Sequence, residues 1–162
     1  MGGLIQLHGH GLRARQVRGP AGLNARPGVV PIEARRYRCL PCGAVVVVLP
    51  FEVVPRRHYS ASAIGFALAL WGLVRETARA VRRRVSGASS LGFDATGWVT
   101  LRRWATAVRG GRLFASVPAA APSATLREVA AVAATGLAAS ADSTTRHLPI
   151  EQRAFLGAAH AA

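Results

Sequence analysis

The stretch YSASAIGFALALWGLV, residues 59–74, carries no charge and is flanked by arginines at both ends. Its apolar residues Ile64, Leu68 and Trp71 recur at helical spacing, which predicts an α-helix. A helix that spans a bilayer needs about 20 apolar residues, whereas this stretch has 16 residues that include two serines and two glycines. We therefore expect the buried first helix of a small helical domain, and a membrane anchor is the alternative.

Residues 74–85 predict a second helix with a basic surface. Apolar residues recur at positions i, i+4, i+7 and i+11, and they are Val74, Ala78, Val81 and Val85. The other faces carry arginines, at Arg75, Arg79, Arg82, Arg83 and Arg84. This pattern is typical of an amphipathic helix with one buried stripe.

The segment WVTLRRWATAVRGG, residues 98–111, predicts a third amphipathic helix. Its apolar face has Leu101, Trp104, Ala105 and Val108, and we expect Trp98 and Trp104 to be core anchors. Its polar face has Arg102, Thr106 and Arg109 at i, i+4 and i+7, with Arg103 beside them. Asp94 or Thr96 is the expected N-cap. Arginine suits guanine edges and phosphates, so this face is a candidate DNA contact, and a solvated surface is the alternative.

Residues 1–55 predict a small β module. The first 30 residues read as short β segments separated by Gly/Pro-rich turns. RRYRCLPCG, residues 35–43, then contains both cysteines of the chain, and AVVVVLP, residues 44–50, is β-branched enough to form a strand that Pro50 ends. The order is a β-ribbon, a cysteine knuckle and a returning strand.

Cys39 and Cys42 have the spacing of a zinc knuckle, in which two thiolates point at one ion. A structural zinc ion needs four ligands, and the candidates for the other two are His8 and His10, because strand residues at i and i+2 face the same way. In the alternative interpretation, the cysteines are a redox pair or two idle thiols, and both histidines are ordinary polar residues.

The charge of the chain is strongly positive and unevenly distributed. It has 21 arginines, no lysine and 7 acidic residues, for a net charge of +14. Residues 1–112 hold 18 of the arginines and 4 of the acidic residues, so the last 50 residues are neutral. An excess of this size indicates a polyanionic partner, although arginine without lysine is also typical of the codon usage of GC-rich genomes.

Together these motifs resemble the N-terminal zinc ribbon and helix-turn-helix of bacterial insertion-sequence transposases. RYRCLPCG is similar to the second cysteine knuckle of that ribbon, and PRRHYSASAIGFALALWGL and TLRRW resemble the helix-turn-helix that follows it. The first Cys-x-x-Cys of the family would precede residue 1, so the chain looks like a truncated ribbon. The resemblance implies Zn²⁺ at Cys39 and Cys42, DNA as the partner, and a recognition helix bearing Thr100, Arg102, Arg103 and Thr106.

The expected fold is mainly α with a small N-terminal β-ribbon. A degenerate zinc-ribbon-like module is expected at residues 1–55, a helix-turn-helix-like DNA-binding domain at residues 56–114, and a Pro/Ala linker with an Ala-rich helical tail at residues 115–162.

The seven carboxylates are scattered, and the chain has no G-x-S-x-G, P-loop or H-E-x-x-H motif. We therefore predict a cytoplasmic DNA-binding protein with neither a catalytic domain nor a small-molecule substrate. The predicted contact residues are Thr100, Arg102, Arg103, Thr106, Arg109, Arg79 and Arg83. The alternatives are a small membrane-associated protein and a non-functional transposase fragment.

Overall fold

A computed structural model of the chain describes residues 6–86 and 98–161. The elements follow in the order β1 (Leu7–Pro20), β2 (Pro27–Cys39), β3 (Val45–Val48), α1 (Ala61–Gly72), α2 (Ala78–Val85), α3 (Val99–Arg109), α4 (Leu126–Ala139) and α5 (Ile150–His160). The strands form one antiparallel sheet in the order β1-β2-β3. Helices α1, α4 and α5 pack against one another, α2 packs against α1, and α3 packs against α4 and α1.

The expectation of a mainly α fold with a small β-ribbon is wrong. β1 has 14 residues and β2 has 13, whereas an average strand has about 5–6. The short segments predicted near the start of the chain are one continuous strand, because its pairing with β2 continues on both sides of a β-bulge between Gly9 and Leu12. The sheet is therefore a major part of the molecule.

A proline is tolerated within β2 because one edge of that strand is largely free. Pro31 pairs with Gln16 of β1, while β3 covers β2 only from Arg35 to Arg38. A strand proline needs a position where its missing N–H faces no partner strand. The short length of β3 provides that position.

Helix α1 lies at the centre of the helical part, and all 12 of its residues are buried. The Ser60 hydroxyl caps the helix by accepting a hydrogen bond from the Ala63 amide at 3.1 Å. The expected buried helix within residues 59–74 is thus confirmed. Across residues 6–86 and 98–161, none of the helices has the length and apolar character needed to cross a membrane.

Helix α2 begins later than predicted. Arg75 has a φ of 67°, which no helix residue adopts, and Thr77 then caps α2 by accepting from the Ala80 amide at 3.2 Å. The chain therefore turns between α1 and α2. The expected caps of α3, Asp94 and Thr96, lie outside the described residues, and the prediction is wrong, because the N-cap of α3 is Trp98, whose side chain makes no capping hydrogen bond.

The turn end of the β1–β2 hairpin is docked on the helical part. The Arg15 guanidinium donates to the carbonyls of Val54 and Arg57. The Arg18 backbone adds two hydrogen bonds, accepting from the Ser60 amide at 3.1 Å and donating to the His58 carbonyl at 2.6 Å. The opposite end of the hairpin, which carries the cysteines, is largely exposed.

Candidate nucleic-acid interface

Three aromatic rings hold α3 in place. Tyr59, Trp98 and Trp104 contact one another edge to face, with ring centroids 5.0–5.8 Å apart. Trp98 is 9% exposed and Trp104 is 2% exposed. The expectation that both tryptophans are core anchors is confirmed.

This anchoring turns one face of α3 outward. Leu101, Trp104, Ala105 and Ala107 are buried. Of the predicted contact residues on this helix, Arg102, Arg103, Thr106 and Arg109 are exposed and Thr100 is half-buried. Among the described residues, the guanidinium groups of Arg102 and Arg103 make no hydrogen bond or ion pair. These two groups are free to bind an anion.

Thr106 and Arg109 make hydrogen bonds within the protein. The Thr106 hydroxyl donates to the Arg102 carbonyl at 3.0 Å. The Arg109 guanidinium donates to the Ala124 carbonyl and thereby ties the end of α3 to the segment before α4. Arg102 and Arg103 are consequently the stronger candidates for DNA contact on this helix.

Helix α2 adds a second arginine surface. Val81 and Val85 are buried, while Arg79 and Arg83 are exposed. Arg84 has a structural role, because it pairs with Glu76 at 2.5 Å and lies 5.0 Å from the centre of the Phe66 ring. Like α3, α2 contains no acidic residue.

The N-terminal ends of α2 and α3 meet at one cleft. Thr77 and Ala78 at the start of α2 line it together with Val99 and Arg102 of α3. The fold thus brings Arg102 close to the start of α2, a proximity that no sequence motif indicates.

Further exposed arginines lie on the β-hairpin, and none of them is among the predicted contact residues. They are Arg13, Arg18, Arg26, Arg35 and Arg38. The signal in the sequence is an alternation of arginine with smaller or apolar residues, as in LRARQVR, residues 12–18. Because a strand alternates its side chains between two faces, this pattern predicts charge along a sheet.

The two cysteines form a compact turn at the exposed end of the hairpin. The Gly43 amide donates to the Cys39 carbonyl at 2.8 Å, and the Cys39 amide donates to the Ala44 carbonyl at 2.8 Å. Gly43 has a φ of 72°, which glycine adopts without strain. A hydrogen bond from the Ala44 amide, and then one involving the Cys39 side chain, lower the pKa of the Cys42 thiol.

The predicted histidine ligands do not join the cysteines in a metal cluster. His8 pairs with Arg38 across the hairpin, and a β-bulge between Gly9 and Leu12 interrupts the regular alternation on which the placement of His10 rested. No group of three or more His, Cys, Asp or Glu side chains within the described ranges is placed to hold a metal ion. Cys39 and Cys42 would supply only two of the four ligands that structural zinc needs, so the described residues do not form a complete zinc site.

Comparisons of this chain with protein-family models, with curated proteins and with solved structures find no match.

Proposed function

We propose that the protein binds double-stranded DNA through the exposed arginines of α2 and α3. The observation that carries the proposal is that the two helices contain seven arginines and no carboxylate, and that Arg83, Arg102 and Arg103 are exposed while the opposite faces of the helices are buried. Such a surface attracts phosphate and displaces its counterions. A transposase-like role, a cytoplasmic location and the absence of a catalytic domain belong to the same proposal, and their support is the sequence alone.

Within this surface, Arg102 and Arg103 on α3 and Arg83 on α2 are the proposed principal contacts. All three side chains are exposed. Guanidinium groups bind phosphates and also the guanine edge in the major groove, so these residues suit both positioning and base recognition. The alternative of a membrane anchor would require α1, which is buried along its whole length, to leave the core.

The test compares DNA binding by wild type and by the double variant Arg102→Ala/Arg103→Ala. Binding to a labelled 30-base-pair duplex is measured by fluorescence anisotropy at several salt concentrations. Each lost phosphate contact reduces the slope of log K against log salt by about 0.9. We therefore expect weaker binding and a slope shallower by about 2 if both groups contact phosphate.

The matched control is Arg26→Ala/Arg146→Ala, which removes the same charge from two other exposed positions. This control should retain most of the affinity. Equal losses in the two double variants would show that net charge, and not α3, determines binding. Wild-type protein that fails to bind the duplex at low salt would refute the proposal.

A further inference from the structure

The cleft between the starts of α2 and α3 is a cavity of about 490 Å³. Small-molecule sites in proteins typically have volumes of about 300–1,000 Å³. Its apolar wall is formed by Trp71, Trp98 and Leu101, and its polar wall by Thr77, Arg102 and Arg127. The cavity therefore has the size and the mixed lining of a ligand site.

Two arginines from different helices line this cavity, and none of the described residues that line it carries a carboxylate. The Arg127 guanidinium, from α4, lies 5.4 Å from the centre of the Trp71 ring. This contact fixes the plane of the guanidinium while its N–H groups remain able to donate. Arg102 approaches from α3, and its guanidinium has no partner among the described residues. Two like charges at one cavity favour an anion between them.

The backbone at the cavity also favours a negatively charged ligand. Thr77 and Ala78 are the N-cap and first residue of α2. Amide groups in the first turn of a helix lack partners within the helix and carry partial positive charge. This partial charge adds to the full charges of the two guanidinium groups, which are the main attraction for an anion.

The apolar wall of the cavity favours a ligand whose uncharged part is a flat apolar ring system. Trp71 and Trp98 are 8% and 9% exposed, and Leu101 is 1% exposed, so this wall is formed by side chains that the core holds in place. Flat ring systems pack well against tryptophan. A simple inorganic anion would leave this wall in contact with water.

We propose that the cavity binds a small aromatic anion, with its carboxylate or phosphate between Arg102 and Arg127 and its ring against Trp71 and Trp98. This site goes beyond the proposed function. The two proposals share Arg102, and Arg127, which lies outside the proposed DNA surface, allows them to be tested separately. The ligand class is defined by the combination of one flat ring system and one negative group.

The test is isothermal titration calorimetry of the full chain with three probes. 2-Naphthoate has both the ring and the charge, 2-naphthamide has the ring alone, and acetate has the charge alone. We expect saturable binding of one 2-naphthoate per chain, with the other two probes at least 10-fold weaker, since each lacks one half of the recognition. Equal binding of naphthoate and naphthamide would overturn the proposal, and so would the absence of saturable naphthoate binding.

Variants locate the binding. Arg127→Ala should weaken 2-naphthoate binding at least 10-fold, and Arg146→Ala, an exposed arginine on the loop before α5, should leave it unchanged. Arg102→Gln provides a second test in case Arg127→Ala fails to fold, because Arg102 is exposed. Equal affinity in wild type and in the folded variants would place the ligand elsewhere and refute the site. DNA affinity is measured in the same Arg127→Ala variant. If it is retained, failure of the ligand site leaves the DNA proposal standing.

Discussion

Gly157 of α5 lies directly against the carbonyl group of Leu137 in α4. A Cβ added at Gly157 would overlap the Leu137 carbonyl oxygen and lie 2.9 Å from its carbon. Gly65 of α1 is similarly close to α5, since a Cβ there would lie 2.5 Å from the Cβ of Ala158 and 2.8 Å from the Ala154 carbonyl oxygen. The three central helices can approach this closely because small residues occupy their crossing points.

We predict that Gly157→Ala destabilises the protein. Overpacking a core usually costs about 1–3 kcal/mol, and the obstacle here is backbone, which cannot rotate away as a side chain does. We expect a loss at the upper end of that range, measured by chemical denaturation followed by circular dichroism.

The control is Gly28→Ala, since nothing lies within 4 Å of a Cβ at that position. Its stability should change little by comparison. Wild-type stability in Gly157→Ala would show that α4 and α5 do not pack as described.

Glu128 should contribute stability that depends on pH. The Thr125 amide donates to the Glu128 carboxylate at 2.6 Å. This hydrogen bond, then the Thr125 side chain, and to a lesser extent the charge of Arg75, lower the pKa of Glu128. A carboxyl group with a lowered pKa stabilises the folded state above its unfolded pKa, which is about 4.3, and loses this contribution as the pH falls through the folded pKa.

Glu128→Gln should therefore lower the free energy of unfolding at neutral pH, and the difference from wild type should shrink as the solution becomes more acidic than about pH 4. Urea denaturation of wild type and variant at several pH values measures this difference in the free energy of unfolding. Glu33→Gln, at an exposed position on β2, is the matched charge control. A difference that stays constant with pH would contradict an origin in the Glu128 charge.

The Cys42 thiol should react at lower pH than an ordinary cysteine. Its pKa is lowered chiefly by the Ala44 amide, its side chain is exposed, and the thiolate is the reactive form. In the Cys39→Ser variant, the rate of alkylation by iodoacetamide should rise at lower pH than for N-acetylcysteine. Cys42→Ser, which leaves the half-buried Cys39, should react more slowly at neutral pH. A pH profile identical to that of N-acetylcysteine would show that the Ala44 amide does not stabilise the thiolate.

Arg15 should hold the hairpin on the helical part. Its guanidinium donates to the carbonyls of Val54 and Arg57, and Arg15→Met keeps much of the aliphatic stem while removing these donors. We expect faster hydrogen exchange at the amides of Arg18 and Ser60, with exchange in α4 unchanged. Arg13→Met, at an exposed position on the same strand, should leave both amides protected. Equal protection in the two variants would show that Arg15 is not needed for docking.

The helices are predictable because their signals are local. Apolar spacing indicates the burial of α1 and the outward arginine face of α3, although α3 has no side-chain cap. Alanine-rich composition indicates α4, which Thr125 and Glu128 cap reciprocally. The long hairpin is harder to predict, since it depends on pairing between distant residues such as Leu7 and Cys39. The glycines and prolines of residues 19–28 also read as a turn, whereas β1 extends to Pro20 and β2 already begins at Pro27.

The sequence by itself determined the charge of the protein, the amphipathic faces of its helices and the cysteine knuckle, because these depend on composition and on spacing within one element. Only the tertiary structure decided that β1 and β2 form one long hairpin. It also brought Arg102 and Arg127, from α3 and α4, to the same cavity. The physical reason is that contacts between elements depend on how helices and strands pack, and a helical or strand period carries no information about the neighbouring element.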